Sequence, residues 1–195
     1  NRVWSGDYKW GGWTSGSIVL DTNSNPTRAY ALYKIDNDRA GVVSLNMVKN
    51  SKDLNLRTLE FPSRYVSVLA IDPNNPPRMI AAGESLWESL DRGKSWNKIM
   101  DNPSGGWSDS LSINPFDPKE IIIGGFFGNL FSIKNGQKKR IQISTPAKNA
   151  DGFVTVAYDN QIQNVIYAGT RNGFFYSKDN GQTWQEFSDG LRSKD

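Results

Sequence analysis

The stretch Ser177-Lys178-Asp179-Asn180-Gly181-Gln182-Thr183-Trp184 decides the fold, because it has a second copy at Ser89-Leu90-Asp91-Arg92-Gly93-Lys94-Ser95-Trp96. Both copies read S-x-D-x-G-x-[ST]-W, and we call them the Ser-Asp turns. Ser and Asp oxygens can accept backbone N–H groups in a tight turn, and Gly can adopt a positive φ there. The Trp then buries a large ring as the next strand begins. Two copies with matching flanks predict a repeated hairpin.

Three short β-type runs precede each Ser-Asp turn and a fourth follows it, with Asp, Asn and Pro turns and a Gly-containing loop between them. Four antiparallel strands of this kind form one blade of a β-propeller. The first three runs are residues 66–73, 78–83 and 86–89 before the first turn, and 154–159, 165–169 and 174–177 before the second.

The spacing of the turns gives the number of blades. Their Asp residues lie 88 positions apart (179 minus 91), which is two blades of about 44 residues. The copy between them replaces the Ser-Asp turn with Asn135-Gly136, an ordinary hairpin signal, and a further degenerate copy precedes the first turn. Because no stretch has a helical period, residues 1–195 are predicted to be an all-β propeller segment. Its four blades are expected at about 14–60, 65–100, 107–143 and 152–188.

The repeated pattern resembles the Asp box, or BNR repeat, of sialidases and other β-propellers. The resemblance implies that the motif is a structural turn, so that Asp179→Ala would lower stability. It also implies further blades, from sequence outside this chain or from another chain, with a closed four-blade ring as the alternative. The residues that this reading makes structural are Ser89, Asp91, Gly93 and Trp96 in one turn and Ser177, Asp179, Gly181 and Trp184 in the other.

Composition removes several classes of function. The chain has no Cys and no His, which excludes disulfides, Ser-His-Asp and Cys-His catalysis, and zinc sites built from His or Cys. We expect no metal and no cofactor. The net charge of +3 is scattered, and its one cluster, Lys138-Lys139-Arg140, fits a solvated hairpin better than a nucleic-acid site. No apolar run approaches the roughly 18 to 20 residues of a membrane helix. A start at Asn1 without a signal-like segment suggests a mature form or an excised piece.

In the propeller family, ligands bind on loops that lead into each innermost strand and on loops between the second and third strands. The Asp boxes lie on the opposite side. Two of these loops carry Gly-Gly-Trp, ending at Trp13 and Trp107. Such rings are candidate platforms for sugars, and the alternative is that they pack between blades. The resemblance implies a substrate-binding set of Trp10, Trp13, Tyr65, Glu84, Trp107, Phe127, Arg171 and Asn172.

Candidate catalytic acids also lie in the loops that lead into the innermost strands. Glycoside hydrolysis needs one carboxyl group to protonate the leaving oxygen and another to act as base or nucleophile, about 5 to 10 Å apart. Asp7, in a stretch rich in aromatic residues and glycine, and Asp109 are the predicted pair. The alternative is that Asp7 caps a turn and Asp109 bonds backbone at the start of its strand.

Two segments resemble family 74 xyloglucanases more closely. Residues 11–19 are similar to the Gly-rich aromatic opening of that family, and residues 106–116 to its Trp-initiated strand with an N/D-P-F turn. The resemblance implies a fragment of an extracellular or cell-surface enzyme, with the periplasm as alternative, that acts in a cleft between two propellers. The family's Asp after the second strand has no clear match near Tyr33-Lys34-Ile35-Asp36. A sialidase is disfavoured because its arginine-containing opening motif is missing.

Fold alone does not choose between an enzyme and a binding module. Sortilin-type receptors and photosystem II assembly factors also carry Asp boxes, so a non-catalytic propeller that binds glycan or protein is the alternative. A purely structural repeat segment of a large surface protein is a third reading. The sequence therefore predicts a polysaccharide or glycan, or a protein, as partner, and leaves open whether the chain is an enzyme.

Overall fold

The computed structural model describes residues 17–34, 40–46, 57–61, 63, 65–126, 128–144, 152 and 154–187. The elements of this part of the chain are β-strands, which form four antiparallel four-stranded sheets. The strands of each sheet follow chain order, so each sheet is one continuous segment. This confirms the predicted all-β architecture of four-stranded blades. No helix in the described residues is long and apolar enough to cross a membrane.

The first sheet contains β1 (Ile18–Asp21), β2 (Arg28–Lys34), β3 (Ala40–Asn46) and β4 (Arg57–Phe61). The second contains β5 (Val66–Ile71), β6 (Met79–Gly83), β7 (Ser85–Ser89) and β8 (Asn97–Asp101). The third contains β9 (Ser108–Ile113), β10 (Glu120–Gly125), β11 (Leu130–Lys134) and β12 (Gln137–Ile141). The fourth contains β13 (Thr155–Tyr158), β14 (Ile166–Thr170), β15 (Gly173–Ser177) and β16 (Gln185–Phe187).

Buried apolar side chains form three clusters, one between each pair of consecutive sheets. Successive side chains of a strand point to opposite faces, and β10 illustrates the consequence. Ile121 and Ile123 join the cluster with the second sheet, whereas Ile122 joins the cluster with the fourth. All six residues of β10 are buried, because both faces of its sheet are covered.

The first strands of consecutive sheets lie side by side, and serine hydroxyls link them. Ser17 Oγ donates to the Leu69 carbonyl and accepts from the Leu69 N–H, both at 3.3 Å. Ser110 makes the same two bonds with Val156, at 3.3 and 2.8 Å. These bonds fix the stagger between strands that belong to different sheets.

At or directly after the end of each first strand lies an Asp or Asn whose side chain closes the turn that follows. The side-chain oxygen accepts the N–H groups two and three residues later, at 2.7 to 3.3 Å, which is an Asx turn. Because all four sheets use this device, they are copies of one repeat. The four residues are Asp21, Asp72, Asn114 and Asp159.

In the first Ser-Asp turn, two side chains accept the backbone N–H groups that the turn leaves free. Ser89 Oγ accepts from the Gly93 N–H at 2.7 Å and donates to Asp91 Oδ1 at 2.8 Å. Asp91 accepts from the N–H and the hydroxyl of Ser95, at 2.9 and 2.7 Å. Gly93 has a φ of 81°, which glycine adopts without steric cost.

The second Ser-Asp turn repeats this network. Ser177 Oγ accepts from the Gly181 N–H at 2.8 Å and donates to Asp179 Oδ1 at 2.7 Å. Asp179 in turn accepts from the Thr183 N–H at 2.8 Å. The two networks match bond for bond, so the motif acts as a structural unit.

The Trp that ends each Ser-Asp turn packs against the preceding sheet. The ring of Trp96 lies 4.6 Å from that of Phe61, between centroids. Trp184 is buried in the same cluster as Ile141. A Cβ added to Gly181 would lie 3.0 Å from Ile141 Cγ2, so the turn itself touches the neighbouring sheet.

Two glycines at the ends of second strands allow a close approach of backbone. A Cβ at Gly83 would lie 1.9 Å from the Tyr65 carbonyl oxygen, and one at Gly125 would lie 2.8 Å from the Trp107 carbonyl oxygen. The register shifts at both places, between Val66 and Val68 and between Gly124 and Gly125. Glycine is therefore required where the chain leads into β5 and β9.

The Ser-Asp turns predict a specific loss of stability in acid. Hydrogen bonds from Ser95 lower the pKa of Asp91 to about 2, and bonds from Thr183 lower that of Asp179 to about 2. A carboxyl group with a depressed folded pKa stabilises the fold fully above the unfolded pKa of about 4, and this contribution fades as the pH falls toward 2. The urea midpoint should fall over this range, and less steeply in the Asp91→Asn/Asp179→Asn double variant. Parallel curves for the two proteins would contradict this assignment.

Gly83→Ala should lower the free energy of unfolding by about 1 to 3 kcal/mol, because the new methyl group forces the backbone at Tyr65 to move. Gly106→Ala is the matched control, since a Cβ there meets nothing within 4 Å. The control should change stability by less than about 0.5 kcal/mol. Urea denaturation measures both variants, and equal losses would show that the close approach at Gly83 is unimportant.

Candidate functional site

The two ends of the sheets carry different chemistry. The first and third strands of an antiparallel sheet start at the same end, where the second and fourth strands finish. We call this the loop end, and the other, which holds both Ser-Asp turns, the turn end. The described residues of the loop end in the second to fourth sheets are 65, 83–85, 101–107, 125–126, 128–129, 152 and 170–173.

An aromatic pair lies at the centre of the described loop end. Tyr65 leads into β5 and Trp107 into β9, and their rings meet edge to face with centroids 5.5 Å apart and an interplanar angle of 81°. This geometry is a favourable one for aromatic rings. Trp107 is nevertheless 38% exposed. The pair therefore packs between sheets, as one reading of the sequence expected, and still presents an indole surface to solvent.

Backbone hydrogen bonds hold Glu84 beside this pair. The Glu84 N–H donates to the Tyr65 carbonyl at 3.2 Å, and the Glu84 carbonyl accepts from the Asn102 N–H at 2.7 Å. The Glu84 side chain is exposed. The Glu84 carboxylate therefore follows directly after Gly83, whose missing side chain lets the backbone of Tyr65 come close.

The loop end continues from the third sheet into the fourth. The Gly128 N–H donates to the Gly152 carbonyl at 2.7 Å, and the Val154 N–H donates to the Gly125 carbonyl at 3.1 Å. A Cβ on Gly152 would lie 3.2 Å from Cβ of Arg171. Arg171 and its neighbour Asn172 are both exposed in the turn between β14 and β15.

The structure therefore places five of the predicted binding residues at one end of three consecutive sheets. They are Tyr65, Glu84, Trp107, Arg171 and Asn172. Asp7, Trp10, Trp13 and Phe127 lie outside the described residues, and Asp109 is described in β9 by its backbone alone. The pairing of Asp7 with Asp109 stays a prediction. The eight residues of the Ser-Asp turns lie at the opposite end.

The sequence did not single out one further carboxylate of the loop end, Asp101. Asp101 pairs with Ser85 at the edge of the second sheet and accepts its hydroxyl at 2.7 Å. Lys98 Nζ lies 3.0 Å from the same oxygen. The Ser85 hydrogen bond, followed by that of Lys98, lowers the pKa of Asp101. Counting the register outward from the first Ser-Asp turn would pair Ser85 with Met100, and a register shift between Leu86 and Trp87 brings Asp101 opposite Ser85 instead.

The chemistry of the loop end suits a neutral ligand with many hydroxyl groups. The exposed indole of Trp107 offers a flat apolar surface, and the carboxylates of Glu84 and Asp101 accept hydrogen bonds from hydroxyls. The guanidinium of Arg171 and the amide of Asn172 can donate. Among the described residues, no group of three or more Asp or Glu side chains is arranged to hold a metal ion.

Comparison with curated proteins finds sequence similarity to a protein described as a xyloglucanase. No protein-family model matches the chain. It is similar to a probable oligoxyloglucan-reducing end-specific xyloglucanase of Neosartorya fischeri, with 26% identity over 137 residues, covering 60% of this chain and 17% of that protein.

Solved structures of glycoside hydrolase family 74 (GH74) share the fold. An ancestral GH74 enzyme matches 93% of this chain with a TM-score of 0.65 and 19% identity, over 25% of its own length. The GH74 xyloglucanase of Xanthomonas campestris matches 90% of this chain with a TM-score of 0.55 and 14% identity, over 38% of its length. The GH74 enzyme of Niastella koreensis matches 88% of this chain with a TM-score of 0.52 and 11% identity, over 37% of its length. The four sheets are therefore β-propeller blades like those of GH74 enzymes, and the chain spans 17% to 38% of the length of these relatives.

Proposed function

We propose that this chain is part of a larger Asp-box propeller in a glycoside hydrolase-like protein, and that its loop end binds a xyloglucan-type polysaccharide. The observation that carries the proposal is the aromatic pair Tyr65–Trp107, which is fixed by packing and still exposes an indole at the end expected to bind ligand. A rigid, partly exposed ring costs little conformational entropy when it stacks on a sugar. The similarity to a xyloglucanase supports this choice of ligand.

The outer faces of the first and last sheets support a larger propeller. Ile18 and Leu20, on the face of the first sheet that points away from the second, are 71% and 55% exposed. On the corresponding face of the fourth sheet, Phe174 stacks on Tyr167 and meets Phe187 edge to face, and these two phenylalanines are 37% and 49% exposed. Further blades would cover both of these outer faces, just as the second and third sheets are each covered on both faces by their neighbours.

Catalysis by this chain would need a pair of carboxyl groups at the loop end. Asp7 and Asp109 are the candidate acid and base or nucleophile, and Glu84 and Asp101 are two carboxylates that the described part of the loop end presents. Asp101 is bonded to Ser85 and Lys98, which suits it better to fixing the loop than to exchanging protons. We place the protein outside the cell, where a plant-type polysaccharide is met.

Isothermal titration with a xyloglucan oligosaccharide tests the binding. The Trp13→Ala/Trp107→Ala double variant should bind at least about tenfold more weakly, because truncation of an aromatic anchor commonly costs more than 1.4 kcal/mol. Phe116→Ala is the control, since Phe116 is a comparably exposed ring, at 44%, in the β9–β10 turn at the other end of the sheet. Equal affinity of the wild type and the double variant would refute the aromatic platform.

An assay of xyloglucan hydrolysis distinguishes a catalytic chain from a non-catalytic binding module. Release of reducing ends that stops in Asp109→Asn while oligosaccharide binding persists would support catalysis by this chain. Binding without hydrolysis in the wild type would favour the non-catalytic propeller.

A further inference from the structure

A concave site lies at the turn end, between the first and second sheets, away from the loop end. It is a cavity of about 380 Å³. Its lining includes three cationic side chains, two hydroxyl groups and one aliphatic side chain. These are Arg28, Arg92, Lys94, Tyr30, Ser44 and Leu90.

Polar groups in this cavity lack partners in the described part of the chain. Tyr30 is 1% exposed, yet its hydroxyl makes no hydrogen bond there, and neither does Arg28 Nε. Arg92 Nε lies 3.8 Å from Asp21 Oδ2, an ion pair too long for a hydrogen bond. A buried hydroxyl without a partner is costly, so a ligand that bonds to these groups would be favoured.

The second sheet shows what Arg28 is missing. Arg78 lies two residues before Ile80, as Arg28 lies two residues before Tyr30. Arg78 Nε donates to Glu88 at 2.7 Å, and Glu88 is the residue paired with Ile80. The residue paired with Tyr30 is Ser44. The first sheet therefore has a serine where the second supplies the carboxylate.

The interface between the third and fourth sheets gives the same comparison with the charges reversed. Glu120 occupies the position of Arg28, and its carboxylate accepts from Ser132 at 3.0 Å and from Asn180 at 3.2 Å. Ser132 corresponds to Ser44, and Asn180, the fourth residue of its Ser-Asp turn, corresponds to Arg92. The third sheet therefore has a carboxylate where the first sheet has Arg28, and side chains of the protein itself satisfy that carboxylate.

We propose that the cavity between the first two sheets binds the carboxylate of a uronic acid residue, between the guanidinium groups of Arg28 and Arg92. Two guanidinium groups bind a carboxylate strongly through charge-assisted hydrogen bonds. The Asp91 carboxylate also borders the cavity, but the hydroxyl and N–H of Ser95 and the hydroxyl of Ser89 engage it. It is therefore committed to the Ser-Asp turn.

The size and lining of the cavity favour a sugar acid over a small inorganic anion. About 380 Å³ is far more than a single carboxylate fills, and Leu90 and Pro77 provide apolar surface for a ring. The hydroxyls of Tyr30 and Ser44 match the hydroxyls of the sugar. This site goes beyond the loop-end function and does not depend on it.

Titration with glucuronate, followed by NMR, tests the site, with glucose as the uncharged ligand of the same ring size. Glucuronate should bind and glucose should not. Arg28→Gln should weaken glucuronate binding at least about tenfold, since it removes a charged hydrogen-bond donor. Arg140→Gln, which removes the same charge from an exposed position on β12, should leave it unchanged. Equal effects of the two variants would overturn the proposal.

Two further variants keep the test independent of folding. Tyr30→Phe removes the unpartnered hydroxyl, so it should weaken binding several-fold without lowering the melting temperature. Ser44→Glu supplies the carboxylate found in the second sheet, so it should abolish binding and raise the melting temperature. Sulfate that binds as tightly as glucuronate would show a general anion site and refute the sugar-acid assignment.

Discussion

The structure depends on a packing constraint: a sheet whose two faces are both apolar is stable only between two neighbours. The third sheet satisfies this constraint fully, with Ile122 against the fourth sheet and Ile121 and Ile123 against the second. Removal of apolar surface from water at about 25 cal/mol per Å² makes these layers the main stabilising term. The bridging serines fix the stagger between the first strands of neighbouring sheets.

The same constraint separates the two ends of the sheets. At the turn end, Ser and Asp side chains accept hydrogen bonds from the free backbone N–H groups. Trp96 and Trp184 pack there against the preceding sheet. At the loop end, close backbone approach at Gly83 fixes Tyr65 and leaves the indole of Trp107 partly in water. The Ser-Asp turns therefore hold the sheets together, and the loop end is available for a neutral polysaccharide.

Local patterns in the sequence predicted most of the fold. Apolar runs located the strands, and Asn135-Gly136 makes the predicted hairpin turn, with φ values of 52° and 76°. What escaped prediction depends on register between distant segments. The Ser85–Asp101 pair requires the alignment of two strands, and the cavity at Arg28 is lined by residues from two sheets. The predicted acids Asp7 and Asp109 rest on resemblance, which does not give the position of a side chain.

The claim that the neutral polysaccharide binds at the loop end while the Trp residues of the Ser-Asp turns are structural can be tested most directly with the tryptophan indole N–H signals. Nitrogen-15 NMR during titration with an uncharged xyloglucan oligosaccharide reports each ring separately. We expect the Trp107 signal to shift in a saturable way, whereas the signals of Trp96 and Trp184 stay in place. Saturable shifts of Trp96 and Trp184 with an unchanged Trp107 would contradict the assignment of the two ends.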